Sequence, residues 1–127
     1  MSTLFSILVV DDHPSMTQTL TDILSVKGFE VHAAYSGAEA LEILQEHPVH
    51  ILLTDVRMPD MNGVELCRAA RKTQPNLIVM LMTAYAADDI IEKGFSEGIK
   101  TVLTKPLDIN LLLSIFSAYK QIIVGLP

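Results

Sequence analysis

Acidic side chains follow two of the most apolar stretches of the chain. Asp11 and Asp12 come directly after the largely apolar run 4–10, and Asp55 follows a second such run, 49–54. Burying a carboxylate costs free energy unless a partner compensates its charge, and three acids brought together can hardly all stay ionised without a cation. The pattern therefore predicts a divalent-metal site built around one chemically special carboxylate.

The size, composition and charge of the chain exclude several classes of protein. Its 127 residues are half hydrophobic, which disfavours disorder and suits a single domain over residues 1–127. The net charge of −6 argues against direct binding to nucleic acid or to an anionic membrane. No apolar stretch approaches the roughly 20 residues that span a bilayer. Because Cys67 is the only cysteine and Lys27 the first basic residue, we expect a cytoplasmic setting without a signal peptide.

Apolar runs alternate with amphipathic stretches from one end of the chain to the other. This alternation predicts an α/β fold, with a doubly wound five-stranded parallel sheet and five helices. The predicted strands cover residues 5–10, 29–33, 49–54, 77–82 and 101–104. The predicted helices cover approximately residues 14–27, 37–47, 64–72, 86–96 and 109–123. Ligands of such sheets bind beyond the carboxyl ends of the strands, so the acids are expected to share one crevice.

Two further polar residues follow predicted strands at equivalent places. Thr83 follows the fourth strand, and Lys105, with Pro106 after it, follows the fifth. The ordered set Asp-Asp, Asp, Thr and Lys-Pro resembles the receiver domain of two-component response regulators. The segment 55–63, DVRMPDMNG, is especially close to the phosphorylation segment of that family. The resemblance covers essentially the whole chain and implies a flavodoxin-like sheet with strand order 2-1-3-4-5.

The resemblance implies a role for each acid. Asp55 would be the nucleophile that accepts a phosphoryl group, as an acyl phosphate, from a histidine kinase or a histidine phosphotransfer protein. Asp11 and Asp12 would hold Mg²⁺ together with Asp55 and the backbone carbonyl of Arg57. The domain would hydrolyse its own acyl phosphate slowly, so we expect a phosphoacceptor and not an enzyme.

The resemblance also implies how the phosphoryl group is held and sensed. Lys105 would place its positive charge on the phosphoryl oxygens, across a Lys105–Pro106 bond expected to be cis, and Thr83 would donate a hydrogen bond. The family usually has Tyr or Phe three positions before the lysine, and that aromatic ring takes part in switching. Here the position is occupied by Val102, whose side chain is short and has a single stiff dihedral angle. We expect Tyr85 to take over part of this role, by gating the site or packing on Val102.

The last predicted helix is apolar on more than one face. Leu112, Phe116 and Tyr119 suit the core, and other apolar side chains remain for the surface. Exposed apolar patches usually mark interfaces. We therefore expect a homodimer, or binding of a partner, through the fourth helix, the fifth strand and the fifth helix.

Simpler interpretations exist for single residues. Asp11 and Asp12 alone would fit a helix N-cap, and Asp55 alone would fit a turn. Lys105 alone would be a solvated charge. His13 is expected to have a surface role in its loop, and Gly63 is expected to adopt a turn conformation that residues with a Cβ resist.

Two other functions remain open at this point. One is a receiver fold used for binding without phosphorylation, which Val102 keeps open although the intact acids, Thr83 and Lys105 disfavour it. The other is a phosphatase with an aspartyl nucleophile. Haloacid dehalogenase-like phosphatases have a second Asp two positions after the nucleophile, where this chain has Arg57. The phosphatase is therefore the less favoured alternative.

Overall fold

Strands and helices alternate along the chain in the computed structural model, which describes residues 4–85 and 89–125. Strands β1 to β5 are Ser6–Val10, Glu30–Ala34, Ile51–Asp55, Ile78–Thr83 and Thr101–Thr104. Helices α1 to α5 are Pro14–Val26, Gly37–Glu46, Gly63–Thr73, Asp89–Ser96 and Ile109–Val124. The predicted order of elements is confirmed, with ends shifted by one or two residues. The predicted start of the fourth helix, at Ala86, lies outside the described residues.

The five strands form one parallel sheet in the order β2-β1-β3-β4-β5, which confirms the predicted flavodoxin-like topology. Strands β1 and β3 are neighbours, with Val10 aligned to Thr54. Strands β3 and β4 are also neighbours, with Asp55 of β3 aligned to Met82 of β4. The carboxyl ends of the central strands therefore lie at one edge of the sheet, and the residues that follow them meet there.

Hydrophobic residues fill both faces of the sheet. Alternate residues of a strand point to opposite faces, so a strand that is apolar throughout supplies two cores. Ile7 and Val9 of β1 pack in a cluster with residues of α1 and α5, whereas Leu8 and Val10 pack in a second cluster with residues of α2, α3 and α4. All of β1 and all of β3 are buried. The central strands are consequently a rigid base for the residues at their ends.

Helix α3 begins at a capping box that fixes the loop after β3. The Asn62 side chain accepts hydrogen bonds from the backbone amides of Val64 and Glu65, and Glu65 Oε1 accepts one from the Asn62 amide at 2.9 Å. Gly63 is thus the first residue of α3 and has no positive φ, so the prediction that it adopts a turn conformation that residues with a Cβ resist is wrong. Glycine is required there for space, because a Cβ would lie 2.7 Å from the backbone oxygen of Asp55.

Helix α5 contributes both to the core and to the surface. Leu112 and Phe116 are fully buried, as predicted, and Tyr119 is half-buried against the same cluster. Asp108 caps the helix by accepting a hydrogen bond from the Leu111 amide at 3.1 Å. Within residues 4–85 and 89–125, no helix has the length and apolar character needed to cross a membrane.

Candidate functional site

Three acids meet at the carboxyl ends of β1 and β3. Asp11 directly follows β1 and is fully buried, and Asp55 is the last residue of β3 and is 7% exposed. Ligand atoms of Asp11, Asp12, His13 and Asp55 all lie within 4.8 Å of one another. The predicted convergence of the acids is therefore confirmed. The N-cap interpretation of Asp11 and Asp12 is wrong, because the N-cap residue of α1 is His13 and no side chain caps that helix.

Lys105 lies between two of the acids. Its Nζ is 2.8 Å from Asp11 Oδ2 and 3.2 Å from Asp55 Oδ2, and only 12% of its side chain is exposed. The interpretation of this lysine as a solvated charge is therefore wrong. Its amide donates to the carbonyl of Thr83 at 2.8 Å, and the Lys105–Pro106 peptide bond is cis, as expected.

The buried charges shift the pKa values of the three paired groups. Burial raises the pKa of Asp55, and the charge of Asp11 adds to this effect, so together they outweigh the attraction of Lys105. Burial also opposes ionisation of Asp11, but hydrogen bonds from Lys105 and His13 bring its pKa below the usual value. Burial works against the ammonium of Lys105, yet its contacts with Asp11 and Asp55 raise its pKa. One ammonium thus faces three acids, and negative charge remains for a further cation.

Asp12 provides an oxygen suited to such a cation. Its Oδ1 is buried and accepts no hydrogen bond, a state shared within the described residues only by His32 Nε2. A buried oxygen that accepts no hydrogen bond normally costs free energy, which a bound cation would remove. The cluster offers carboxylate oxygens, the donor type that Mg²⁺ prefers. The residues present therefore fit a magnesium ion.

The residues predicted to sense the phosphoryl group lie nearby. Thr83 ends β4 and is 3% exposed, and its hydroxyl donates to the Tyr85 carbonyl at 3.2 Å and accepts from the Tyr85 amide at 3.0 Å. The Tyr85 side chain is 72% exposed. Val102 of β5 is partly buried against the cluster that contains Leu81. A switching role for Tyr85 and Val102 stays a prediction.

The loop after Asp55 is fastened to α2. Asp60 Oδ1 accepts from the Gly37 amide at 3.2 Å, and Asp60 Oδ2 accepts from the Ala38 amide at 3.0 Å. These bonds place a carboxylate on the positive end of the helix and lower the pKa of Asp60 despite the opposing effect of burial. Arg57 lies in this loop with an exposed side chain, and the role of its carbonyl stays a prediction.

His13, for which the sequence predicts a surface role in the loop beside the site, belongs to the acid cluster itself. Its ring is 69% exposed, as a surface residue should be, but Nδ1 is 2.9 Å from Asp11 Oδ1. The hydrogen bond with Asp11, then the charges of Asp11 and Asp12, raise the pKa of His13. The sequence Asp-Asp-His was the available signal, because a residue that follows two converging acids cannot be far from them.

Comparisons with known proteins agree with this geometry. A family model described as the response regulator receiver domain matches residues 7–117. The chain belongs to this family. The receiver domain is 39% identical over 108 residues to a response regulator receiver protein of Anaeromyxobacter sp. strain Fw109-5, covering 85% of this chain and 45% of that protein. It is 37% identical over 117 residues to the sensor protein EvgS of Escherichia coli K12, covering 92% of this chain and 10% of that protein.

A solved structure shares the fold of this receiver domain over nearly its whole length. The crystal structure of a CheY-like response regulator receiver domain protein from Methanospirillum hungatei JF-1 matches with a TM-score of 0.87 and 28% identity. The match covers 93% of this chain and 94% of that one. The curated relatives are longer, since the chain spans less than half of their length. Receiver domains are the phosphoacceptors of two-component systems, whose phosphoryl donors are histidine kinases and phosphotransfer proteins.

Proposed function

We propose that this receiver domain accepts a phosphoryl group on Asp55 from a phosphohistidine of a histidine kinase or a histidine phosphotransfer protein. The observation that supports this most strongly is the position of Asp55 at the end of β3, with Lys105 Nζ 3.2 Å from its Oδ2. The surrounding acids add a place for a divalent cation within 4.8 Å. A nucleophile, a fixed positive charge and a cation site are the parts that phosphoryl transfer to a carboxylate needs.

The transfer follows from the chemistry of these groups. A carboxylate oxygen of Asp55 attacks phosphorus, the phosphorus–nitrogen bond of the donor breaks, and its electron pair stays on the departing imidazole. The nucleophile must be ionised, and Lys105 favours that state although burial opposes it. Lys105 then moves its hydrogen bond from Asp55 to a phosphoryl oxygen. Bound Mg²⁺, held by Asp11, Asp12, Asp55 and the Arg57 carbonyl, would neutralise further charge on the phosphoryl group.

Thr83 connects this chemistry to a surface. To donate to a phosphoryl oxygen, its hydroxyl must leave the Tyr85 carbonyl that it now contacts at 3.2 Å. That exchange frees the backbone at the carboxyl end of β4, on the path to α4. Phosphorylation thereby shifts the population between two arrangements of the face formed by α4, β5 and α5.

The apolar residues of α5 support this face as an interface. Ile109 lines a groove with residues of α1, so this side of α5 faces α1. Lys120, on the same side of the helix, lies 5.7 Å from the ring of Phe29, which precedes β2. The opposite side carries an apolar stripe at helical spacing, in which Ile115 is half-buried against the core and the other members are exposed. The stripe consists of Leu111, Ile115, Ala118 and Ile122. Leu111 and Ile122 are 50% and 78% exposed, which suits a second copy of the domain or another partner.

A receiver fold used only for binding is the second candidate, and Val102 favours it because the usual aromatic switch is missing.

Incubation with acetyl phosphate and Mg²⁺, followed by intact-mass measurement, distinguishes a phosphoacceptor from a binding module. We expect a gain of one phosphoryl group in the wild type, and none with Asp55→Asn or with a chelator. Lys105→Met should fold and bind Mg²⁺ but gain the group much more slowly. Absence of any gain in the wild type, together with no binding of beryllofluoride, would reject phosphorylation and leave the binding module.

A further inference from the structure

The ring of His13 is directed at the oxygens of the acid cluster. Its Nδ1 is 2.9 Å from Asp11 Oδ1 and 3.3 Å from Asp12 Oδ1. The first contact is a hydrogen bond, whereas Asp12 Oδ1 accepts none. The His13 amide also donates to Asp11 Oδ1 at 3.0 Å, which holds the residue over the cluster. The position of the ring is therefore set by the backbone as well as by the side chain.

These separations match the spacing of neighbouring ligands on one metal ion. In an octahedral site with bonds of about 2.1 Å, adjacent ligand atoms lie about 3.0 Å apart. The two His13 distances of 2.9 and 3.3 Å are close to that spacing. The hydrogen bond to Asp11 uses a proton on Nδ1, so metal binding would replace this bond and shift the neutral ring to the tautomer in which Nδ1 offers its lone pair and Nε2 keeps the proton. The exposed ring of His13 leaves Nε2 room to reach water.

We propose that His13 is a nitrogen ligand of the cation site and a determinant of its metal preference. This inference rests on the proposed function, because it concerns the same cation site. Mg²⁺ prefers oxygen ligands and gains little from imidazole, whereas Co²⁺ and its neighbours in the first transition row gain substantially. The site with His13 binds such ions more tightly than a site formed by the three acids alone. The metal that occupies the receiver is then selected by a residue outside the acids.

The test compares two metals on one set of variants. Titration calorimetry at about pH 8, above the ordinary imidazole pKa, gives Kd values for Co²⁺ and for Mg²⁺. We expect His13→Ala and His13→Gln to weaken Co²⁺ binding about tenfold or more and to change the Kd for Mg²⁺ less than about twofold. His47→Ala, which removes another exposed histidine, should leave both values unchanged. Proton NMR of the Co²⁺ form adds a direct readout, a strongly shifted ring N–H signal that disappears with His13→Ala.

The possible outcomes separate the two proposals. If Mg²⁺ binds the wild type and Asp12→Asn abolishes this binding, the cation site stands. An equal ratio of the two Kd values in the wild type and in His13→Ala, with the shifted signal still present, would then overturn the role of His13 alone. If neither metal binds the wild type, the cation site fails and the role of His13 fails with it.

Discussion

Asp55 is held in a state that costs the fold free energy. Its carboxylate is buried beside Asp11, and its pKa is raised for that reason, although Lys105 partly compensates. A carboxylate whose charge is stabilised less by the folded protein than by water reduces the free energy of unfolding at neutral pH. Such a cost is common at functional sites, where a group is placed for chemistry at the expense of stability.

Asp55→Asn should therefore stabilise the domain while removing its phosphorylation. We expect the free energy of unfolding at neutral pH, without divalent metal, to rise by on the order of 1 kcal/mol, a Tm increase of about 4 °C. Because the folded state raises the pKa of Asp55, the wild type gains stability relative to the variant as the pH falls, and the difference should narrow towards pH 4. Urea unfolding of the wild type and Asp55→Asn at several pH values measures this difference in the free energy of unfolding. Glu42→Gln, on an exposed acid of α2, is the control, and equal stability of wild type and Asp55→Asn at pH 7 would contradict the account.

His50 links two strands through an unprotonated ring nitrogen. Its Nδ1 accepts a hydrogen bond from the Ser6 amide at 2.9 Å, and its ring stacks on Phe5. Burial lowers the pKa of His50 and outweighs the charge of Glu30. A protonated ring could no longer accept this bond, so the neutral form belongs to the folded state.

His50 should contribute less stability below the usual histidine pKa. Since the unfolded chain takes up the proton first, the contribution of His50 to the free energy of unfolding falls as the pH drops from about 7 to 5, by roughly the 1 kcal/mol of one hydrogen bond. The raised pKa values of Asp55 and His13 act in the opposite direction, so the contribution of His50 is read as a difference between variants. Chemical unfolding of wild type and His50→Asn, whose Oδ1 can still accept, measures the difference. His47→Asn serves as the matched control. Parallel curves for wild type and His50→Asn would show that His50 does not contribute.

At the scale of elements, the sequence predicts which strands and helices are present better than it predicts the residues at which they begin. The buried strands are unmistakable because both of their faces are apolar, so β1 and β3 were found nearly whole. The start of α3 was placed one residue late, because Asn62 and Glu65 cap the helix through side chains whose pairing depends on the folded turn. The sequence suggests a turn conformation as the reason for glycine at position 63. The actual reason is the close approach to the Asp55 backbone, which depends on the folded structure and leaves no pattern in the sequence.

The close contact at Gly63 makes a prediction about α3. In Gly63→Ala the new Cβ would meet the Asp55 backbone oxygen at 2.7 Å and Leu81 Cδ2 at 3.0 Å, and backbone cannot move aside cheaply. We expect a loss of about 1–3 kcal/mol of stability, with slower phosphorylation because the strain falls on Asp55. Gly94→Ala in α4 is the control, since its Cβ would come no nearer than 3.2 Å to movable side-chain carbons. Equal stability of the two variants would contradict this interpretation.

At the scale of the whole molecule, topology assembles the site. Asp11, Asp55 and Lys105 are far apart in sequence, and the prediction that they meet required only parallel strands and the strand order that the resemblance supplied. The contacts of Asp60 with α2 and of His13 with the acids were not predicted. They depend on where loops fold back, and neither a period nor a spacing in the sequence encodes that.

The α5 stripe predicts association of the phosphorylated form. We expect sedimentation analysis of the wild type with Mg²⁺ and beryllofluoride to show more dimer than without them, because the switch exposes or orders the face of α4, β5 and α5. Ile122→Glu should weaken that dimer at least about tenfold by placing a charge in an apolar contact. Val26→Glu, on an equally exposed residue of α1, should not. A strictly monomeric wild type in both states would remove the homodimer and leave a different partner for this face.

The central claim is that Asp55 itself accepts the phosphoryl group. Borohydride reduces an aspartyl phosphate to homoserine, so treatment after incubation with a phosphohistidine donor and Mg²⁺ marks the residue, and peptide mass spectrometry identifies it. We predict homoserine at position 55 in the wild type, and none at Asp11, Asp12 or any position of Asp55→Asn. Modification at another acid, or transfer that persists at full rate in Asp55→Asn, would contradict the account.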